Sequence, residues 1–185
     1  MKIKVLSDST CDLSAELLSK YDITTIPLTI IKDNQAFSDG ITITPAEIFA
    51  HVDAGGDLCS TAAINAGEYT EWFSKYHDEY DGIIHINIGS GFSSSYQNAC
   101  IAAEDFPNVR VIDSQNLSTG QGLVVLKACE LAQSCTDLDA LKEQLDAFTA
   151  KVEASFVLDQ LRYRVKGGRC STVAALCANL LNLKP

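Results

Sequence analysis

The sequence predicts an α/β fold, a mostly parallel sheet with flanking helices, followed by the beginning of a second α/β domain. Three junctions carry that expectation. Ile3 to Leu6 runs into Ser7-Asp8-Ser9-Thr10, Ile83 to Ile88 into Gly89-Ser90-Gly91-Phe92-Ser93-Ser94-Ser95, and Val109 to Ile112 into Asp113-Ser114-Gln115. Each is an apolar strand candidate that meets a cluster of hydroxyls, acids or glycines and then a helical pattern. In an open parallel sheet such junctions gather on the carboxyl edge of the strands, where ligands of α/β proteins bind.

The remaining elements follow in order. Thr24 to Ile31 reads as a further strand, Lys32-Asp33-Asn34-Gln35 as a turn, Ala36 to Ser38 as a short returning strand, and Asp39-Gly40 as the next turn. Thr44-Pro45-Ala46-Glu47 combines an N-cap hydroxyl, proline at the first helical position and glutamate at the capping-box position, so a helix starts there. Leu117 to Ala132 is apolar on more than one face, as expected of a helix lying on a sheet. Leu138, Leu141, Leu145, Phe148 and Val152 recur at helical steps, with Thr136 as the expected cap and acids in the first turn. Alternating strands and helices favour right-handed crossovers and parallel pairing. At Val152 the pattern changes: Ala154 to Leu158 reads as a strand, followed by a basic, glycine-containing stretch. This divides the chain into an N-terminal α/β domain (residues 1–151) and the start of a second domain (residues 152–185).

With 185 residues and 46% hydrophobic content, the chain can bury one substantial core and part of another. A net charge of −10 argues against nucleic acid and against an anionic membrane surface, both of which demand Lys and Arg. The N-terminal run Met1 to Leu6 turns polar at Ser7, unlike a signal peptide, and no later apolar run is long enough to span a bilayer. A cytoplasmic protein is expected. The seven cysteines include no C-x-x-C pair, so neither a disulfide framework nor a zinc knuckle is expected. Cys100, Cys129 and Cys177 read as small core residues, while Cys59 and Cys170 lie beside candidate site residues. His51 ends the capped helix, His77 sits in a polar stretch, and His85 lies in an apolar run as a core or edge histidine. Their spacing is not that of metal ligands, and no metal or other cofactor is expected.

The loop at residues 89–95 carries the strongest chemistry. Its glycines admit close approach of a ligand, and a helix beginning near Ser93 or Ser94 aims amide donors and its positive end at an anion. An ordinary serine-capped turn would look the same. The loop is neither a Walker A loop nor a dinucleotide fingerprint, nor does it match G-x-S-x-G. Two other function classes stay open: a serine hydrolase using Ser93 or Ser95 with His85 and Asp113, and a non-enzymatic regulatory or interaction domain.

Taken together, the motifs resemble a known family. Ser7-Asp8-Ser9-Thr10-Cys11-Asp12-Leu13 resembles the opening of the DegV family of bacterial fatty-acid-binding proteins. Ile26-Pro27-Leu28, Asp39-Gly40, Ser90-Gly91-Phe92-Ser93-Ser94-Ser95-Tyr96-Gln97 and Val111-Ile112-Asp113-Ser114 with Gly120 and Gly122 fit the same order and spacing. So do Leu161-Arg162-Tyr163, Lys166-Gly167-Gly168-Arg169-Cys170-Ser171 and Leu181-Asn182-Leu183-Lys184-Pro185.

The resemblance implies a two-domain protein that buries the tail of one long-chain fatty acid and holds its carboxylate at the domain interface. Such proteins present the carboxylate to a separate kinase for acyl-phosphate formation and phospholipid synthesis, and are not enzymes themselves. It implies that Thr61 and Ser93 bind the carboxylate, with Ser94 and Gly91 of the same loop supplying further contacts. Arg169 and Ser9 are the implied head-group or partner contacts. After Thr61 the chain departs from the family's Thr-Ser-Gln-Pro: Ala62-Ala63 removes one hydroxyl donor. Thr61 and Ser93 are expected at two strand-to-helix junctions on one edge of the parallel sheet, where their hydroxyls converge. Family members run on for about a hundred residues past this point, in keeping with a second domain of ordinary size, and that part supplies a histidine. No histidine follows His85 here, so the second domain is expected to be incomplete and to dimerise, swap or pack in its own manner.

The chemistry of such a ligand suits these residue types. Burying the tail is favourable by about 0.8 kcal/mol per CH₂, whereas an unpaired buried carboxylate is very costly. Ile26, Leu28, Ile30, Ile64 and Phe92 are candidates to line the tail, with core packing the expected role of most. Arg162, Arg164, Lys166 and Arg169 form a basic cluster, read either as a solvated turn or as a docking surface for an acidic partner.

Overall fold

The computed structural model describes residues 1–157 together with Tyr163. Arg162, Arg164, Lys166, Arg169, Cys170, Cys177 and most of the expected second domain lie outside the described residues. In chain order the elements are β1 (Ile3–Asp8), α1 (Ala15–Lys20), β2 (Thr24–Ile26), β3 (Thr29–Lys32), β4 (Gln35–Ser38), α2 (Pro45–Asp53) and β5 (Ser60–Ala62). They continue with α3 (Ala66–Tyr76), β6 (Gly82–Asn87), α4 (Ser95–Ala103), β7 (Val109–Asp113), α5 (Ser118–Ala132) and α6 (Leu138–Thr149).

The main sheet is parallel throughout, in the order β2-β1-β6-β7. Its central strands are buried on both faces, and all six residues of β6 are inaccessible, which is why they read as near-continuous apolar runs. On one face Val5, Ile84, Ile86 and Ile112 pack against Val124, Val125 and Ala128 of α5 and Leu138, Leu141 and Leu145 of α6. On the other, Leu6, Ile83, Val109 and Val111 pack against Tyr69 and Phe73 of α3 and Ala99 and Ala102 of α4. Ile26, Leu28 and Ile64 join this second cluster. The result is a three-layer α/β domain, the fold class expected from the sequence.

A second, antiparallel sheet orders its strands β4-β3-β5. The single strand expected over Thr24 to Ile31 is two. Ile26 pairs with Asp8 in the parallel sheet, Thr29 begins pairing in the antiparallel one, and Pro27, which has no N–H to donate, stands at the switch. The turn at Asp33-Asn34 has both residues at positive φ (51° and 60°), the backbone of a tight hairpin. β5 pairs Thr61 with Ile30, so Thr61 lies within this antiparallel sheet and not at a junction of the parallel one.

Three further boundaries differ from expectation. The cap of α6 is Asp137, whose carboxylate accepts from the amides of Asp139 and Ala140, in place of Thr136. An acid suits that position better than a hydroxyl, since it also meets the positive end of the helix. Val152 falls after the end of α6 and joins the core from a turn. Ala154 to Val157 form no strand, and Leu158 lies outside the described residues.

Candidate functional site

The chain leaves β1 through α1 toward β2 and leaves β6 through α4 toward β7, so the two strand exits diverge from the centre of the sheet. The crevice between such diverging loops is where open α/β sheets place their ligands. Here those two exits are the chain after Asp8 and the serine loop that follows β6.

Beneath the crevice lies a fully buried polar cluster. Asp8 Oδ1 accepts from Tyr69 Oη at 2.8 Å, and Oδ2 accepts from the Ile88 amide at 2.9 Å and from Asn87 Nδ2 at 3.1 Å. Asn87 Nδ2 also donates to Tyr69 Oη at 2.8 Å. Burial, followed by the Asp8 charge, pushes the Tyr69 phenol well above its ordinary range, so it stays protonated and a donor. His85 is a core residue, as the sequence suggests, with Nε2 3.3 Å from Asp8 Oδ1. Neither imidazole nitrogen makes a hydrogen bond among the described residues. Alongside, Gln121 of α5 donates to Ser7 Oγ at 3.0 Å and accepts from Thr10 Oγ1 at 2.8 Å, fastening β1 to α5.

The serine loop is built on this base. α4 begins at Ser95, just after the expected start near Ser93 or Ser94, with Ser94 at the N-cap. The capping hydroxyl belongs instead to Ser93, whose Oγ accepts from the Ser95 amide at 3.1 Å and lies 2.9 Å from Ser95 Oγ. The opening amides of a helix have no partner within it, so Ser93 and Ser94 stand where donors converge. Asp113 at the end of β7 accepts from the amides of Ser90 and Gln115, at 3.0 and 2.9 Å, and holds the loop from the side. The two glycines differ. A Cβ on Gly89 would stand 2.9 Å from the Asn116 amide nitrogen, so the scaffold requires glycine there. A Cβ on Gly91 would meet nothing within 4 Å. Among the described residues that position is open, which leaves room for a ligand to approach the backbone.

Thr61 is exposed on β5. Three residues on, the Ile64 carbonyl accepts from Asn98 Nδ2 of α4 at 2.8 Å, which ties the segment after Thr61 to the helix that follows Ser93. α3 then starts with a reciprocal capping box between Asn65 and Glu68. Ser9, expected at the head group, has its hydroxyl occupied: it donates to Asp39 Oδ2 at 2.7 Å and accepts from the Leu28 amide at 3.2 Å. It fastens the exit of β1 to the base of the antiparallel sheet. Arg169 lies outside the described residues. Of the tail candidates, Ile26, Leu28, Ile30 and Ile64 are buried, whereas Phe92 is 61% exposed. Phe92 lines an open cleft of about 610 Å³ with Asn116, Val152 and Ala154.

The hydrolase arrangement is not assembled. His85 is sealed in the core against Asp8, Tyr69 and Phe73, the Ser93 and Ser95 hydroxyls face one another, and Asp113 is engaged with loop amides. His51 lies 3.6 Å from Asp33 and His77 3.4 Å from Asp78, both by their nearer carboxylate oxygen. Among the described residues, no three His, Cys, Asp or Glu side chains gather as a metal site would require. Cys129 is buried and Cys100 and Cys59 are half-buried. No helix among the described residues is long and apolar enough to cross a membrane. Sequence reasoning missed Tyr69 and Asn87 as parts of the site, and named Ser95 only as an alternative nucleophile. The one signal available was a histidine and an asparagine inside the apolar run Ile83 to Ile88.

Comparison with known proteins identifies the fold and the family. A DegV domain-containing protein of Clostridium perfringens is 34% identical over 185 residues, covering 99% of this chain and 66% of the relative. A second, from Clostridium acetobutylicum, is also 34% identical with the same coverage. Among solved structures, "Fatty Acid Binding of a DegV family Protein from Thermus thermophilus" superposes with a TM-score of 0.84 at 30% identity, covering 100% of this chain and 66% of that one. DegV of Bacillus subtilis, described as a fatty acid binding protein, gives 0.82 at 26% identity over 96% of this chain and 64% of its own. A stearic-acid-binding protein of Eubacterium ventriosum gives 0.77 at 29% identity over 96% and 63%. The chain thus spans about two thirds of the length of these relatives. The family profile described as "Uncharacterised protein, DegV family COG1307" matches residues 2–185. This chain belongs to the DegV family.

Proposed function

We propose that the protein binds a long-chain fatty acid, with the carboxylate held by Thr61, Ser93 and the amides around Gly91 and Ser94. The observation that carries this reading is the opening of α4. A serine hydroxyl and the free end of a helix meet there beside Gly91, a position with open space around it, at the divergence point of the sheet. The fatty-acid-binding structures of similar fold support the same ligand class. A carboxylate held by hydroxyls and amides is satisfied without a fixed cation, leaving it available to a second protein. The same proposal therefore includes presentation of the carboxylate to a separate kinase, with the basic cluster Arg162, Arg164, Lys166 and Arg169 docking its acidic surface, and no catalysis by this chain.

Each charge-assisted hydrogen bond to the carboxylate contributes about 1.5–3 kcal/mol. Replacing Thr61 by Val or Ser93 by Ala is therefore expected to weaken oleate binding about tenfold or more, with oleyl alcohol, which shares the tail, much less affected. Equal affinity of the wild type and the Thr61→Val, Ser93→Ala double variant for oleate would overturn the assignment. For the kinase step, reversing the charge of Arg162 and Arg164 is expected to slow association and flatten its salt dependence while sparing oleate binding. Unchanged coupling would return the cluster to a solvated turn.

A further inference from the structure

The two hydroxyls of the proposed site come from different parts of the fold: Thr61 from the antiparallel sheet, and Ser93 from the loop after β6. Their convergence on one carboxylate depends on what fixes these parts relative to each other. Asn98 joins them near the surface, through the Ile64 carbonyl, and Asn87 and Asp8 join them in the core. Asp8 accepts from Tyr69 Oη, on the helix that carries the chain onward from Thr61, and from the Ile88 amide, the first residue of the chain leading into the serine loop.

The chemistry at this position is specific. Tyr69 Oη approaches Oδ1 at 2.8 Å, while the Ile88 amide and Asn87 Nδ2 approach Oδ2 at 2.9 and 3.1 Å. Every hydrogen-bonding group facing the side chain is thus a donor, and both oxygens must accept. A carboxylate does this; an asparagine amide turns its NH₂ toward donors on one side or the other. Asp8 is also wholly buried and, among the described residues, has no Lys or Arg paired to it and only His85 nearby, unaligned for a hydrogen bond. Burying a carboxylate in this way is costly, and an apolar contact could join β1 to α3 and β6 more cheaply. What an apolar contact cannot do is hold a phenol and a loop amide at fixed hydrogen-bond distances.

We propose that Asp8 is a positioning residue for the head group: by holding Tyr69 and Ile88 together it fixes the spacing between Thr61 and Ser93, and with it the preference for a carboxylate over a neutral head. The inference rests on the proposed fatty-acid site, and it concerns selectivity for the head group, leaving the tail contacts untouched.

The test compares oleate with oleyl alcohol in Asp8→Asn, Tyr69→Phe and Ser93→Ala, each against the wild type. Asp8→Asn is expected to lower oleate affinity about tenfold, the loss of one well-placed charge-assisted hydrogen bond, with oleyl alcohol nearly unchanged. Amide exchange over residues 88–95 should quicken in the same variant. Tyr69→Phe keeps the ring contact with Phe73 and removes the donor to Asp8 together with one acceptor of Asn87, whose amide still reaches Asp8, so a smaller shift in the same ratio is expected. It also decides the question should Asp8→Asn fail to fold. A parallel loss of both ligands, or of neither, would mean that Asp8 serves the fold alone and would overturn the inference. Ser93→Ala separates this from the parent reading. If Ser93→Ala leaves the ratio unchanged while Asp8→Asn lowers it, the Ser93 assignment falls and the positioning role stands. The reverse pattern overturns the positioning role and leaves Ser93 in place.

Discussion

The parallel sheet and the antiparallel sheet contribute to the same proposed site by different means. β6 is buried along its whole length, and Ile84 and Ile86 are inaccessible between two helical layers. β4 and β5 have no buried residue, and α2 beside them buries only Val52 while Phe49 stays 53% exposed. The parallel sheet is held by apolar area. The antiparallel sheet and α2 depend more on individual polar contacts: the Ser9 hydroxyl against Asp39 and Leu28, and the reciprocal capping box of Thr44 and Glu47. Ser93 therefore stands on rigid ground, and Thr61 on a part of the molecule that can yield first.

The largest effect should come from the apolar side of this contrast. Ile86→Ala removes a side chain packed in the main core and is expected to cost about 2–5 kcal/mol, seen as a lower midpoint in urea unfolding for the whole domain. Ile41→Ala, at a side chain 69% exposed, should change that midpoint little. Ser9→Ala comes next. It leaves the Leu28 amide without its acceptor and Asp39 without its donor, and a loss of about 1–3 kcal/mol is expected. Amide exchange should quicken in β3 and β4 well before β6. Exchange rising equally in both sheets would break the distinction between them.

Helix caps sharpen it further. Asn65 and Thr44 make the same kind of capping box, but α3 buries Tyr69 and Phe73 whereas α2 buries Val52 alone. Asn65→Ala is expected to lower global stability by about 0.5–2 kcal/mol. Thr44→Ala should instead fray α2 locally with little change in the unfolding midpoint. The smallest effect is one of pH. The hydroxyl and amide of Thr44 hold the Glu47 carboxyl below its ordinary value of 4.5. Its contribution is thus complete above that value and is lost as the pH falls through the lower folded-state value. The amides of α2 should lose protection on acidification below about pH 4.5 before those of β6, and Glu47→Gln should remove the difference.

The same contrast explains what could be read from the sequence. β1, β6 and β7 were legible because strands buried on both faces must be apolar runs, and α2 because its capping box is local chemistry. β5 was not legible: Ser60-Thr61-Ala62 has no apolar signature, and its pairing with β3 is fixed by partners distant in the chain. The division at Pro27 was available in principle, since a proline cannot donate within a continuing sheet ladder. At the site, Ser93 and Gly91 stood out because hydroxyls and glycines at a strand exit have a local meaning. Asp8 stood out only as part of the first junction, and its link to Tyr69 and Asn87 was not legible, because that relation exists only once α3 has folded onto β1 and β6.

The central claim is that this chain holds a fatty acid by its carboxylate. Native mass spectrometry of the purified protein, with oleate and then oleyl alcohol added, tests it most directly. A complex heavier by one fatty acid is expected, lost from the Thr61→Val, Ser93→Ala variant at ligand concentrations that saturate the wild type. A wild type that takes up no oleate, or that takes up oleate and the alcohol equally well, would contradict it.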